Sequence, residues 1–425
     1  MNKSDSELMD LSLSRCGFTA ADREEDAEII IFNTCSVRNH AEERALSRIR
    51  RARSAAPGSI IVVAGCMAQR LGESLLGDGT IQMVVGPYHT PRIGEHVSMY
   101  MNDNHHDKYL SQEVSDFESR IDYQLVHHPD INPWHKWVTI THGCTNFCSY
   151  CIVPYVRGTL ISFPSEQVIR YCQLLVEQGI TEISLLGQNV NQYGQDSSDI
   201  PFYSLLEKVA SIQGLNRLNF LTSHPKDFDD NIIHVIRDNP VISRSLHLPL
   251  QSGSDRILEK MNRQYTIKHY MKIVDSVERE LDSYSLSTDL IVGYPGETAM
   301  DYDKTLDAVK TIRYDDAFTY AYSPREGTAA FHETETLSKE EKMARLSGLI
   351  QVQREISREK LESRINSSED LIVEKISKKS PDEVMGKTFL NHPVVMPGNS
   401  NDIGKKLRVA ITGIKGSTLY GKRIA

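Results

Sequence analysis

The 425-residue sequence lacks several features that would place it in other protein classes. It has no apolar run near the roughly 18 residues that a membrane-spanning helix needs. Its first residues show no basic segment followed by an apolar stretch, so no secretory signal is predicted. Its seven cysteines are an odd number, and three of them lie close together, which favours metal ligation in a reducing compartment over a disulfide framework. We therefore expect a cytoplasmic, monomeric protein without a membrane partner.

The composition, 40% hydrophobic and 25% charged, is typical of a globular protein, and the length predicts two or three domains. The net charge of −9 is unevenly distributed. The segment from Leu371 to Ala425 holds ten Lys and Arg against four Asp and Glu, a net charge of +6 that leaves −15 for the rest. A basic tail on an acidic body indicates a module for an anionic partner, although a merely solvated Lys-rich surface has the same composition.

The first hundred residues alternate short β-branched runs with helical stretches. The runs AEIIIFNTC, SIIVVAGC and IQMVVGP predict three buried parallel strands. An arginine-rich helical stretch, Arg38 to Arg53, lies between the first two. We predict a parallel α/β domain at residues 1–97 and a polar linker at 98–133.

Six strand–helix units follow, and they predict a partial (β/α) barrel at residues 134–364 with its site at the carboxyl ends of the strands. One of the helices has Pro164 and Ser165 as its start signal and Gly179 as its stop. A helical stretch from Ser338 to about Arg364 ends this domain. Short strands and glycine turns at residues 365–425 predict a small β-barrel. The barrel strands are KWVTITHGC, TEISLLGQN, LNFLTSHP, SLHLPLQSG, LSTDLIVGYPGE and DAFTYAYSPREGT.

The strongest chemical signal is HGCTNFCSYC, which holds Cys144, Cys148 and Cys151 at C-x3-C-x2-C spacing. Three thiolates bind zinc if a histidine such as His142 supplies a fourth ligand. They equally bind three irons of a [4Fe–4S] cluster, which usually has four cysteine ligands. Three ligands would leave one iron open for a substrate or cofactor.

This loop, placed directly after the first strand of a six-unit partial barrel, resembles the radical S-adenosylmethionine superfamily. Tyr150, the aromatic residue before the third cysteine, also fits the family pattern. The resemblance implies a [4Fe–4S] cluster whose open iron chelates the methionine part of S-adenosylmethionine. It further implies a reductive cleavage that gives a 5′-deoxyadenosyl radical.

Two further cysteines, Cys35 and Cys66, each follow a hydrophobic strand, so both should emerge at the same edge of one parallel sheet. Buried cysteines also occur as small apolar residues, but a pair at equivalent strand ends ahead of a radical barrel favours ligands. The whole chain then resembles the methylthiotransferases, with an N-terminal cluster domain, a radical barrel and a basic β-barrel of the TRAM type. In that family three N-terminal cysteines hold a second [4Fe–4S] cluster.

The remaining cysteines are predicted to be structural. Cys172 shares the apolar face of its helix with Val168, Leu175 and Val176, which is core spacing. Cys16 precedes Gly17 near the end of an early helix, away from any strand end.

Several motifs resemble the MiaB type within this family. They are LLGQNVN at residues 185–191, TSHP at 222–225, HLPLQSGSDRIL at 247–258 and the opening MN..DSE. The resemblance implies that a methylthio group replaces the hydrogen on carbon 2 of isopentenyladenosine beside the tRNA anticodon. It implies the tRNA anticodon stem-loop as partner and an electron donor such as a flavodoxin or ferredoxin, and it leaves the sulfur donor and the set of modified tRNAs open.

Polar residues at the barrel strand ends are predicted to contact S-adenosylmethionine together with Tyr150. They are Gln188, Asn189, Ser223, Gln251 and Gly293. His224 and His247 also lie near strand ends, where we interpret them as structural histidines.

One motif departs from the family pattern Arg-Gly-x-Glu-x-Ser-Arg-Pro. The segment RGTLISFP has Leu160 in place of the Glu and Phe163 in place of the second Arg. Losing an acid and a base together is consistent with apolar packing in place of one ion pair. Altered substrate contacts are the other interpretation.

The opening MNKSDSELMD raises a question about the first cluster ligand. In the methylthiotransferases this pattern follows a strand that ends in a cysteine, so we hypothesise that the coding sequence begins upstream of Met1 and carries that ligand. Two alternative functions stay open: a methylthiotransferase for threonylcarbamoyl adenosine in tRNA, and a non-catalytic iron–sulfur protein that binds tRNA.

Overall fold

The computed structural model of the chain describes residues 2–36, 39–102, 109–111 and 133–424. Three consecutive bodies follow along the chain: a parallel sheet covered by helices, a barrel of parallel strands, and a small closed barrel. Across these ranges, none of the helices has the length and apolar character needed to cross a bilayer.

The first body is a four-stranded parallel sheet in the order β1-β2-β3-β4. Its strands and helices, in chain order, are α1 (Asn2–Arg15), β1 (Ile29–Thr34), α2 (Asn39–Ala55), β2 (Ile60–Gly65), α3 (Cys66–Leu71), β3 (Met83–Val85), α4 (Ile93–Asn102) and β4 (Tyr109–Ser111).

The residues of β2 explain why helices cover both faces of this sheet. Ile61 and Val63 pack with residues of α2 and α3, whereas Val62 and Ala64 pack with residues of α1 and α4. All four side chains are fully buried. Because successive strand residues point to opposite faces, a continuous apolar run requires cover on both sides. The predicted parallel α/β domain is therefore confirmed.

The predicted linker from residue 98 is wrong for two short segments. Residues 98–102 complete α4, and Tyr109–Ser111 pairs in parallel with β3. The helix continues because Val97 and Tyr100 both lie on its buried face. A three-residue strand is too short to show a sequence pattern. The rest of the predicted linker up to residue 132, like Arg38 at the start of the predicted arginine-rich helix, lies outside the described residues.

The second body contains the six predicted parallel strands, which confirms the partial barrel. Three strands pair as β5-β8-β9 and three as β10-β11-β12, and a parallel bridge from Leu218 to Ile242 joins the two sets. A two-residue antiparallel pair, β6 with β7, lies beside the first strand. The strands are β5 (His135–Thr139), β6 (Thr141–His142), β7 (Ile161–Ser162), β8 (Glu182–Leu186), β9 (Arg217–Phe220), β10 (Ser245–His247), β11 (Ser285–Val292) and β12 (Asp316–Ala321).

The helices of this body alternate with its strands and bury their apolar faces against them. The predicted helix after Pro164 runs over Ser165–Glu177, and its start is fixed by Asp199, which accepts hydrogen bonds from the Ser165 amide at 2.7 Å and hydroxyl at 2.6 Å. The helices are α5 (Val153–Arg157), α6 (Ser165–Glu177), α7 (Phe202–Ala210), α8 (Asn231–Asp238), α9 (Asp255–Lys260), α10 (Ile267–Glu280), α11 (Ala299–Ile312) and α12 (Lys339–Glu362).

The third body is a closed barrel in the order β13-β14-β15-β17-β16, which confirms the predicted small β-barrel. It docks at the amino ends of β9 and β10. Arg217 donates to the carbonyl of Lys387 at 2.8 Å, and Ser243 donates to that of Phe389 at 2.7 Å. Its strands are β13 (Ser368–Ile376), β14 (Glu383–Thr388), β15 (Pro393–Pro397), β16 (Lys406–Lys415) and β17 (Thr418–Arg423).

Short 3₁₀ turns complete the described secondary structure. They are Glu24–Asp26, Gly72–Leu76, Thr90–Arg92, Val190–Gln192, Pro225–Asp227, Ala329–His332 and Ser400–Asp402.

Candidate functional site

The loop with the three clustered cysteines lies at the carboxyl end of the first barrel strand, between β6 and α5. The Cys144 amide donates to the carbonyl of Gly158 at 3.1 Å, and the Cys151 amide donates to that of Cys148 at 2.9 Å. These bonds fold the loop back on itself. Burial raises the pKa of Cys151, and charges on the nearby Cys148 and Cys144 thiols raise it further.

Burial keeps the Cys144 and Cys151 thiols protonated when no metal is bound. It raises the pKa of Cys144 to about 11 and that of Cys151 to about 12. Metal ligands must be thiolates, so binding of iron here releases protons and is favoured by rising pH.

Cys148 is the most strongly hydrogen-bonded of the three thiols. Arg263 donates from Nη1 to the Cys148 sulfur at 3.3 Å, and Nε2 of His224 lies 3.8 Å from the same sulfur. Nδ1 of His224 accepts from the Lys226 amide at 3.2 Å, so in the neutral ring Nε2 carries the proton and donates to sulfur. Burial, with Arg263 and Lys226 adding to it, holds the pKa of His224 well below its usual value. His224 therefore has its ring nitrogens satisfied, as predicted for a structural histidine.

Arg263 is a buried cation with an unusual set of partners. Its side chain also donates to the hydroxyl of Tyr265 at 3.2 Å, that of Tyr150 at 3.4 Å, and the carbonyl of Pro249 at 2.9 Å. Among the described residues no carboxylate forms an ion pair with it. A buried charge without a counter-ion is costly. A thiolate at Cys148, with a cluster attached, would supply the negative charge that this guanidinium requires.

A hydrogen-bonded network ties the loop to the next two strand ends. Asp227 accepts from Asn146 at 3.0 Å and from Asn189 at 2.7 Å, through the same carboxylate oxygen. Gln192 donates to Asn146 at 3.1 Å, and its Oε1 lies 4.0 Å from the Cys144 sulfur. The strand ends after β8 and β9 are thereby fixed against the loop.

The predicted cofactor residues lie around this edge at the ends of four different strands. Asn189 and Gln251 are buried, and each keeps a side-chain oxygen without a hydrogen-bond partner among the described residues. Such acceptors fit the ammonium or hydroxyl groups of a polar ligand. Ser223 is buried beside His224, and Gln188 is half-buried next to Asn189.

Tyr150 and Gly293 are placed differently. Tyr150 accepts from Arg263 and packs against a cluster that includes Tyr294. Gly293 has a φ of +71°, and a Cβ there would meet Cγ of Lys342 at 2.6 Å, so packing against that side chain already requires glycine.

Backbone strain is found at the same edge. Phe147, Thr222 and Gln251 have φ angles of +45°, +69° and +71°, in the left-handed region that bulky and β-branched residues rarely adopt. Strain of this kind often marks functional sites. The loop and two of the predicted strand ends therefore share an additional indication of function.

The second pair of cysteines lies at one sheet edge, as the strand pattern predicts. Thr34 and Gly65 are register partners in the parallel pair β1–β2, and Cys35 and Cys66 follow them directly. The Cys66 sulfur accepts from Nε of Arg157 at 3.1 Å.

Arg157 joins this edge to the barrel. It lies at the end of α5, six residues after Cys151, and its Nη2 donates to Asp5 at 2.7 Å. The side chain is 2% exposed, and its Nη1 has no hydrogen-bond partner among the described residues. Burial opposes the charge, but Asp5 and Cys66 outweigh it and raise the pKa of Arg157 well above its usual value. The unused donor points to an anionic group at the same edge.

The remaining residues of interest are Cys16, Cys172 and His247, which were predicted to be structural, and His142, the candidate fourth zinc ligand. Cys172 is fully buried in the barrel core, and Cys16 lies exposed just after α1. His247 contacts Ser287 at 3.0 Å and Asp289 at 3.4 Å. His142 packs edge-on against Tyr88 with ring centroids 4.9 Å apart. In the described part of the chain, no three His, Cys, Asp or Glu side chains are gathered as ligands of a single metal ion.

The two departures from the family pattern are both buried. Leu160 is 7% and Phe163 2% exposed, and Phe163 belongs to the barrel core. This placement favours apolar packing over altered substrate contacts as the reason for the two substitutions.

Gly143, just before the first cysteine, offers a direct test of the loop. It has a φ of +69°, and a Cβ there would lie 1.9 Å from the carbonyl oxygen of Thr159. We expect Gly143→Ala to displace the loop and to lower bound iron after anaerobic reconstitution by at least several-fold. Gly79→Ala is the matched control, because Gly79 has a similar φ of +72° and open space around it. Its cost should be the backbone strain of about 1–3 kcal/mol, with iron unchanged. Equal iron in both variants would contradict the proposed loop geometry.

Sequence reasoning missed Arg263, Gln192, Asp227 and the partners of Arg157. Gln192 and Asp227 follow strand ends closely enough that the strand-end rule could have identified them. Arg263 lies in the turn between α9 and α10, where no pattern indicates a site.

Comparison with known proteins agrees with this architecture. Residues 1–86 match the family described as Uncharacterized protein family UPF0004, residues 138–309 match the Radical SAM superfamily, and residues 362–424 match the TRAM domain. Among solved structures, a radical S-adenosylmethionine methyltransferase, TsrM, from Kitasatospora setae aligns with a TM-score of 0.53 at 14% identity. That alignment covers 73% of this chain and 64% of that one, and it supports the fold alone.

Curated relatives are similar over the whole chain. A tRNA-2-methylthio-N(6)-dimethylallyladenosine synthase from Natranaerobius thermophilus is 38% identical over 429 residues, covering 99% of this chain and 94% of its own. One of the same name from Moorella thermoacetica is 38% identical over 448 residues, covering 100% and 96%. The chain therefore belongs to the MiaB-type family of radical S-adenosylmethionine methylthiotransferases.

Proposed function

We propose that this protein adds a methylthio group to carbon 2 of isopentenyladenosine next to the anticodon in tRNA. The observation that carries the proposal is the full-length similarity to synthases of that name, together with a three-cysteine loop at the carboxyl edge of the barrel. In the reaction the C2–H bond is broken, its hydrogen passes to the 5′-deoxyadenosyl group of one S-adenosylmethionine, and a C2–S bond is formed to a sulfur that the N-terminal cluster would carry. The methyl group of the product and the hydrogen abstraction are both assigned to S-adenosylmethionine.

The residues of the loop fit a [4Fe–4S] cluster held by Cys144, Cys148 and Cys151. The buried guanidinium beside Cys148 complements a negatively charged cluster. Bound with S-adenosylmethionine, such a cluster supplies the cleavage of an aromatic C–H bond, which acid–base side chains cannot perform. The chain's own residues position the partners: Asn189 and Gln251 offer unused buried acceptors, with Tyr150, Gln188, Ser223 and Gly293 around them.

We also propose that Cys35 and Cys66 hold a second cluster, with the unused Nη1 of Arg157 donating to it. The three structural bodies would then act as an N-terminal cluster domain, a radical domain and a tRNA-binding domain. The net charge of the C-terminal segment suits the last role, because basic residues bind tRNA phosphates. The proposed setting is the cytoplasm, where tRNA and a flavodoxin- or ferredoxin-type electron donor are available, and we propose that the chain acts as a monomer.

The test is mass spectrometry of tRNA nucleosides after anaerobic reaction of reconstituted protein with tRNA, S-adenosylmethionine and a reductant. We expect the methylthio form of isopentenyladenosine. A methylthio form of threonylcarbamoyl adenosine would establish the sister activity instead.

A non-catalytic tRNA-binding protein is the second candidate, because the described edge offers two cysteines where the family uses three. Iron and sulfide analysis separates the candidates. About four irons per chain with no methylthio product would support the binding protein, and about eight irons with product would support the enzyme.

A further inference from the structure

The arginine-rich helix α2 carries a stripe of three arginines that the proposed chemistry does not use. Arg44, Arg48 and Arg51 are all exposed. They are spaced four and three residues apart, so they lie on one face of the helix, one above the other at about 5–6 Å intervals. Ile49 and Ala52, each 1% exposed, lie on the buried side of the same helix, in the core of the first body.

The fold leaves all three guanidinium groups on the surface of the helix. In the described part of the chain, no carboxylate forms a salt bridge with any of the three. Other cations of the same body are paired: Arg70 lies 2.7 Å from Glu42, and Arg92 lies 2.8 Å from Glu95. Three aligned arginines that have no salt bridge within the described ranges therefore form a local cationic surface on a chain of net charge −9.

The position of α2 relates this surface to the proposed site. Its first turn carries Glu42, which accepts from Ser36 at 2.5 Å and from Arg325 at 3.2 Å. Ser36 follows Cys35, and Arg325 follows the carboxyl end of β12. The helix thus starts at the thiol edge and extends away from it, with Arg51 about 18 Å along the axis from the first residue of the helix.

We propose that Arg44, Arg48 and Arg51 form a second RNA-binding surface, which contacts phosphates of the stem while the target base is at the site. The inference rests on the proposed function. Arginine suits this role because its fork of donors pairs with phosphate oxygens. A row of cations leading away from the site matches a polyanion better than it matches a small ligand.

The test compares binding of a fluorescent anticodon stem-loop RNA by the full chain and by Arg44→Gln/Arg48→Gln/Arg51→Gln, across a range of salt concentrations. We expect the triple variant to bind about tenfold more weakly at low salt. The slope of log affinity against log salt should fall by about 2–3. The triple Lys variant should retain the slope, because it keeps the charge.

Lys268→Gln/Lys272→Gln is the control, since both lysines are exposed on α10. It should leave the slope unchanged. An unchanged slope in the arginine variant, or an equal fall in the slope in the lysine variant, would overturn this inference but not the proposed function. Failure of the unmodified chain to bind this RNA would overturn the proposed function as well. Thermal melting checks that the variants are folded.

Discussion

The Cys148→Ala variant is expected to lose about four irons per chain and at least about 100-fold in methylthio product. The substitution removes a proposed iron ligand, and it also removes the sulfur to which Arg263 donates at 3.3 Å. The buried guanidinium then has no anionic neighbour among its described partners, which adds a desolvation cost to the loss of the ligand. Iron and sulfide analysis after anaerobic reconstitution measures the first effect, and nucleoside mass spectrometry measures the second.

Cys172→Ala is the matched control for this experiment. Its thiol is fully buried in the barrel core, where burial raises its pKa to about 12. Truncation should cost about 1 kcal/mol of unfolding free energy and leave both iron and product unchanged. If Cys148→Ala kept the iron content of the Cys172→Ala control, the assignment of the cluster to this loop would be wrong.

The elements that were predicted correctly from the sequence are those defined by short stretches of neighbouring residues. Each barrel strand is an apolar run that ends in polar residues, and the three cysteines lie within eight residues of one another. The equivalence of Cys35 and Cys66 also follows from local pattern, because parallel strands end at a common edge. The register of Thr34 with Gly65 bears this out.

The residues that sequence could not assign act through long-range contacts. Arg263 reaches Cys148 across 115 residues, and Arg157 reaches Asp5 across 152. Neither contact produces a periodic pattern in the sequence, because each depends on how two bodies or two loops pack together. The three-residue strand β4 was missed for a related reason, because it is defined by pairing with β3 and not by its own composition.

Arg263→Met is expected to lower the midpoint potential of the cluster in the proposed loop by roughly 60 mV, a tenfold change in a one-electron equilibrium. A positive charge and an N–H···S bond both stabilise the reduced, more negative cluster, so removing them makes reduction harder. Burial opposes the charge of Arg263, but Tyr150, Tyr265 and Cys148 outweigh it and hold its pKa well above the usual value. The group is therefore a permanent cation at this site.

The local backbone shows that this arginine is held in place. The residues on either side of it, Asn262 and Gln264, have φ angles of +54° and +57°. Two departures into the left-handed region, one on each side of Arg263, are unfavourable by themselves. They present the guanidinium to four acceptors at once, namely Cys148, Tyr150, Tyr265 and Pro249. We therefore expect Arg263 to position and tune the loop, a role distinct from that of a ligand.

The measurement is a redox titration followed by electron paramagnetic resonance, on preparations matched for iron content. Arg263→Lys keeps the charge but not the fork of donors, so its potential should lie between those of the wild type and Arg263→Met. Arg279→Met is the control, because the Arg279 side chain is 63% exposed on α10 and should leave the potential unchanged. A purely structural role for Arg263 predicts lower iron content with an unshifted potential. An iron-replete Arg263→Met protein with the wild-type potential would refute the electrostatic role, whereas a shift that Arg263→Lys partly reverses would support a stabilising cation and N–H donor beside Cys148.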